Sequence, residues 1–122
     1  MTQSELTVRS TDYGDVTVLD LTGRLVLHDG DAVFRTTVND LIARDRLKLV
    51  VNLADVSYID SAGIGVLVGR YLGVRRRGGD MKLVNLTARS HRVMTITQLL
   101  NVFDCYDSID DAIRAFGAAL NP

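Results

Sequence analysis

The stretch Asp60-Ser61-Ala62-Gly63-Ile64-Gly65 brings together a carboxylate, a hydroxyl and two glycines, the residue types in this chain best suited to chemistry. Three enzyme-like readings of it fail on spacing. A nucleophile elbow places glycine two residues before its serine, where Ile59 stands. A dinucleotide fingerprint needs its third glycine where Val68 stands, and Gly69 follows one residue too late. No phosphate-loop Gly-Lys-Ser/Thr sequence occurs. His28 and His91 are isolated, without a second ligand at metal spacing, and read as structural or solvated histidines. Cys105 is the only cysteine, which excludes an internal disulfide, and its neighbours Val102 and Phe103 predict a buried structural thiol. The residues therefore predict a protein that is not an enzyme, with no catalytic constellation, metal site or bound cofactor.

The elements around this stretch explain its placement. An apolar run from Leu47 to Leu53 predicts a buried strand, and Asp60-Ser61 supplies two capping side chains beyond it. Ile64, Leu67, Val68, Tyr71 and Leu72 then recur at helical spacing up to Arg75-Arg76-Arg77-Gly78-Gly79. The chain thus reads strand, loop, helix, with Ser61 at the helix start. There a hydroxyl lies beside unpaired backbone N–H groups and the positive end of the helix dipole, which favour added phosphate. The three arginines end the helix, where they face water and complement its negative terminus.

The rest of the chain supplies a sheet and its cover. Thr7-Val8 and Val16 to Leu21 predict a hairpin turning at Tyr13-Gly14-Asp15, and Gly23 breaks the pattern before Leu25-Val26-Leu27. Val33, Phe34, Val38, Leu41 and Ile42 mark an amphipathic helix from about Asp29 to Arg44. Met81 to Val84 predicts another strand, so strand-helix-strand spacing implies right-handed crossovers between parallel strands in a mixed sheet. Thr87 caps a short helix containing Val93 and Met94, while Leu99 to Tyr106 returns as an apolar segment of ambiguous structure. Ser108-Ile109-Asp110-Asp111 has the form of a capping box and opens a last helix with Ala112, Ile113, Phe116 and Leu120 on one face.

Length and composition bound the function. A chain of 122 residues with 47% hydrophobic content suits one domain with one core. Fourteen basic against fifteen acidic residues leave a net charge of −1, no electrostatic basis for binding nucleic acid. No apolar run approaches the ~20 residues that span a bilayer, and the N-terminus has no signal pattern. A cytoplasmic protein without membrane attachment is expected.

Val56 to Leu67, Gly78-Gly79-Asp80-Met81, Val93-Met94-Thr95-Ile96 and Leu99 to Phe103 together resemble the STAS domain of bacterial anti-sigma factor antagonists. The resemblance implies a single STAS-like α/β domain over residues 1–122, best matched at about 16–117, with a mixed β-sheet and helices packed mainly on one face. It implies that Ser61 is the phosphoacceptor and Asp60 its acidic neighbour, and that Gly63 and Gly65 keep the approach to the serine open. The expected partners are an anti-sigma factor that is a serine kinase and a serine phosphatase acting on phosphorylated Ser61. Only the unphosphorylated form would bind the anti-sigma factor and free its sigma factor, with the antagonist a monomer or weak dimer. The alternative within the family is a non-switching scaffold subunit of a stress-signalling assembly. Gly23 matches the family's glycine before the first helix, whereas Gln98 stands where a glycine is frequent.

Simpler explanations exist for several of these residues. A capping role alone, worth ~1 kcal/mol, would account for Ser61 and is compatible with phosphorylation. Asp60 at a helix start has an electrostatic reason of its own. Gly65, Gly69 and Gly73 repeat every four residues, a spacing that allows close approach to a neighbour. Val66 and Arg70 lie off the apolar stripe, so the wheel predicts both facing solvent near Ser61 and completing a partner-binding surface of Asp60, Ser61, Gly63, Val66 and Arg70.

Overall fold

The computed structural model describes residues 5–117. Leu6–Tyr13 (β1) and Val16–Leu25 (β2) form the expected hairpin, closed by Gly14 at a φ of +62°. Three crossovers follow, through Gly30–Ala43 (α1) to Lys48–Ile59 (β3), through Ser61–Arg76 (α2) to Asp80–Val84 (β4), and through Ala88–Ile96 (α3) to Cys105–Tyr106 (β5). Ile109–Ala115 (α4) ends the described chain. The sheet order is β1-β2-β3-β4-β5, antiparallel at β1/β2 and parallel at the other three pairings.

Successive side chains of β2, β3 and β4 point to opposite faces, and because both faces are covered these strands carry unbroken buried runs. The larger core, with Leu19, Leu21, Phe34, Val51, Leu67 and Leu83 fully or almost fully buried, lies under α1, α2 and α3. On the other face Val16, Val18, Val50 and Val84 meet Ala112 and Ile113 of α4. The fold is the mixed-sheet α/β arrangement expected, with helices mainly on one side. Leu120, assigned by the sequence to the last helix face, lies outside the described residues.

Two local readings change in a way that bears on the site. The strand predicted to stop at Leu53 continues to Ile59, so no loop separates it from α2. Beyond Leu53 only Val56 and Ile59 are buried, a spacing of three that hides the strand from a search for alternation; register shifts against β2 at Asp20/Thr22 and Gly23/Arg24 cause it. Gly23 does not break β2 but lies within it at a φ of +115°, and a Cβ there would sit 1.7 Å from the Glu5 carbonyl oxygen. Cys105 is a further correction: β5 is a short edge strand, and its cysteine is exposed rather than buried. Partial desolvation and the neighbouring Asp104 carboxylate push that thiol pKa up. Arg75 and Arg77 face water as expected, in loose ion pairs with Asp80 and Asp45.

Candidate functional site

The site forms where β3 passes directly into α2. Asp60, extended at φ −104°, is the N-cap, and its Oδ1 accepts the Gly63 N–H at 2.8 Å. Its Oδ2 accepts the Leu27 N–H at 3.0 Å from the loop between β2 and α1, while the Asp60 N–H donates to the Leu25 carbonyl at 3.3 Å. Partial withdrawal from water pushes the Asp60 carboxyl up, but the N–H groups of Leu27, Gly63 and Ala62 outweigh this and hold its pKa below the ordinary value. The carboxylate therefore stays charged at neutral pH and ties the start of α2 to the loop between β2 and α1.

Asp60, and not Ser61, is the capping residue. Ser61 is the first residue of α2; its side chain is exposed, and no hydrogen bond engages its hydroxyl among the described residues. A serine is thus not required there for capping. The hydroxyl stands at the positive end of a helix of 16 residues, open to a protein that could modify it.

The two glycines differ in role. Gly63 is buried against β2, where an added Cβ would lie 2.1 Å from the Leu25 carbonyl oxygen and 2.9 Å from Ile59. It permits the close packing of α2 on the sheet. Around Gly65 and Gly69 nothing lies within 4 Å of an added Cβ, so the glycine repeat meets no neighbour within the described fold. Gly73 meets only the Arg70 side chain, at 3.5 Å.

Two predicted surface residues are corrected. Val66 is 5% exposed and belongs to the main core, while Leu72, placed by the wheel on the apolar stripe, is 43% exposed. Ile64, Leu67, Val68 and Tyr71 of the expected stripe do pack on the core, but the missing side chain of Gly63 lets α2 pack closer on its other flank, so the buried residues are Gly63, Ile64, Val66, Leu67 and Val74. Treating Gly63 as an inward position, with Val66, Leu67, Arg70 and Val74 at i+3, i+4, i+7 and i+11, would have found this flank. Arg70 lies on the same side; it is half-buried, and its guanidinium donates to the Asn39 side-chain oxygen of α1. It braces the two helices, roughly 13 Å along the axis from Ser61.

The sequence missed Leu27, held by the helix cap, and the cluster on Tyr58, three residues before the serine. Leu27 is 55% exposed in the loop held by Asp60, and Tyr58 is 41% exposed near the end of β3. The Arg24 guanidinium lies 5.6 Å from the Tyr58 ring centroid and that of Arg89 lies 5.3 Å from it. Among the described residues no cluster of three or more His, Cys, Asp or Glu could hold a metal ion, and no helix is long and apolar enough to cross a membrane.

The fold has known counterparts. The family model for the STAS domain matches residues 7–112, and the chain belongs to the STAS domain family. It is 28% identical over 109 residues to the anti-sigma F factor antagonist of Paenibacillus polymyxa, covering 88% of this chain and 92% of that one. The crystal structure of an anti-sigma factor antagonist from Mycobacterium paratuberculosis superposes with a TM-score of 0.80 at 23% identity, over 90% of this chain and 92% of that one. The Bacillus cell fate determinant SpoIIAA in its phosphorylated form shares the fold, with a TM-score of 0.69 at 20% identity over 91% and 98% of the two chains.

Proposed function

We propose that this protein is an anti-sigma factor antagonist whose binding is gated by phosphate on Ser61. The supporting observation is the exposed, unengaged Ser61 hydroxyl on the first residue of α2, beside a cap already supplied by Asp60. Unphosphorylated, the chain binds an anti-sigma factor of the serine-kinase type, which then releases its sigma factor; a serine phosphatase restores the binding form. Relatives named as antagonists and a fold counterpart with a phosphorylated form support the reading. The function is binding and not turnover, the STAS unit extends over residues 1–122, and the protein acts in the cytoplasm.

The switch is electrostatic and steric. Phosphoserine adds roughly −1.5 to −2 charges, which the start of a helix tolerates in the free protein. In a desolvated complex the same charge meets the partner's acidic groups or bound nucleotide, at a cost of several kcal/mol. Since ~1.4 kcal/mol is tenfold in affinity, a firm complex becomes negligible.

The experiment is mass spectrometry after incubating the protein with ATP and the serine-kinase anti-sigma factors of its own genome. Wild type gains one phosphate and Ser61→Ala gains none while still binding the kinase. Undiminished incorporation in Ser61→Ala overturns the site. Phosphorylated protein keeps its circular dichroism spectrum and loses binding; a lost spectrum would replace this switch by an unfolding one. Self-assembly without kinase binding in size-exclusion chromatography would favour the scaffold alternative.

A further inference from the structure

The first turn of α2 is too small to hold a partner. A specific interface takes about 800 Å² from each protein, so a kinase reaching Ser61 must also cover the surface beside it. That surface has an unusual composition. The guanidinium groups of Arg24 and Arg89 both lie against the Tyr58 ring, and Arg89 is in the first turn of α3. Arg89, Arg92 and Ile96 follow one another at i, i+3 and i+7, on the side of α3 away from buried Ser90 and Met94. Ile96 is 74% exposed and, with Leu86, Ala88 and Arg92, lines a shallow groove of about 560 Å³.

Two arginines of this face, Arg89 and Arg92, lack a carboxylate partner among the described residues, whereas Arg24 pairs with Glu5 at 3.0 Å. Arg35, Arg44, Arg46, Lys48, Arg77 and Lys82 each pair with a carboxylate elsewhere on the surface. Arg89 and Arg92 pair with none among the described residues, and α3 contains no acidic residue. Two arginines without a carboxylate partner, one of them over the exposed Tyr58 ring, and an exposed isoleucine thus extend along α3 from the strand that delivers Ser61.

We propose that this face, from Leu27 and Tyr58 to Arg92 and Ile96, is the second half of the docking surface, and that it receives an acidic patch bearing an apolar side chain on the anti-sigma factor. The proposal rests on the function assigned above. Charge complementarity selects an acidic partner: it supplies the counter-ions that Arg89 and Arg92 lack, and Ile96 and Leu27 supply apolar contact at the two ends of the patch. An acidic partner also gives the phosphate on Ser61 a charge to repel, so docking and switching share one cause.

The test is calorimetry with the kinase that phosphorylates wild-type Ser61, using unphosphorylated antagonist at low and high salt. Arg89→Glu weakens binding about tenfold or more at low salt, and its affinity depends less on salt than that of wild type. Ile96→Ser, which alters no charge, weakens binding roughly threefold or more. Arg114→Glu, on α4 across the sheet, leaves affinity within about twofold; a loss equal to that of Arg89→Glu would reduce the effect to net charge and overturn the proposal. If wild type is bound and phosphorylated while Arg89→Glu and Ile96→Ser bind as wild type does, this face is not the interface and the function assigned to Ser61 stands. If no kinase binds or phosphorylates wild type, the functional reading fails and this docking proposal fails with it.

Discussion

Asp60 Oδ2 accepts the backbone N–H of Leu27 at 3.0 Å, joining the start of α2 to the loop between β2 and α1. The other oxygen caps Gly63, so one side chain both begins the helix and holds Leu27 beside Ser61. Asp60→Ala should cost about 1 to 3 kcal/mol, the range for a lost cap and a lost charged hydrogen bond. Denaturant unfolding checks it, and a loss below the lower figure would mean that water replaces the carboxylate.

The same carboxylate sets a pH dependence. Its pKa is lowered on folding, so at intermediate pH the unfolded chain binds more protons than the native one. The contribution of Asp60 is complete above about pH 4, the ordinary Asp value, and is lost as pH falls through the depressed native value. The stability difference between wild type and Asp60→Asn should therefore shrink in that acid window. A difference constant from neutral pH down through it would show that charge is not involved.

Gly63 and Gly65, two residues apart, should respond oppositely to alanine. Gly63→Ala drives a Cβ to 2.1 Å from the Leu25 carbonyl and should destabilise by about 1 to 3 kcal/mol or more. Gly65→Ala meets nothing within 4 Å and should stabilise α2 by roughly 1 kcal/mol. Thermal unfolding of both variants gives the two signs directly.

Val66→Glu is expected to damage the fold before it damages binding. The side chain lies in the main core, and a buried unpaired carboxylate should cost about 3 kcal/mol or more. Lost binding accompanied by normal unfolding behaviour would instead place Val66 at an accessible surface.

Gln98 is strained in a position that suits glycine. It follows α3 at a φ of +60°, the left-handed conformation usual after a helix end. Gln98→Gly should raise stability by about 1 kcal/mol, since the left-handed penalty of ~1–2 kcal/mol is partly offset by the greater freedom of glycine when unfolded. Unchanged or lowered stability would show that the glutamine side chain has compensating contacts.

The sequence alone determined the order of elements up to α3, the mixed sheet and the helix start at Asp60-Ser61, because hydrophobic period, capping residues and turn glycines act within a few positions of one another; the short edge strand β5 stayed ambiguous. It also marked Gln98, where a residue type and a backbone conformation disagree. The stripe of Ile64, Leu67, Val68 and Tyr71 was legible, but where the inward side of α2 ends was decided only by tertiary packing. A wheel counts apolar side chains and gives a glycine no weight, yet Gly63, by lacking a side chain, permits the closest contact and turns Val66 in and Leu72 out. The meeting of Leu27 with Asp60, and of Arg24 and Arg89 with Tyr58, likewise came from the sheet: parallel pairing of β2 with β3 and the packing of α3 on β3 bring distant segments together. No local spacing encodes that meeting, because it arises from contacts between strands and helices far apart in the chain.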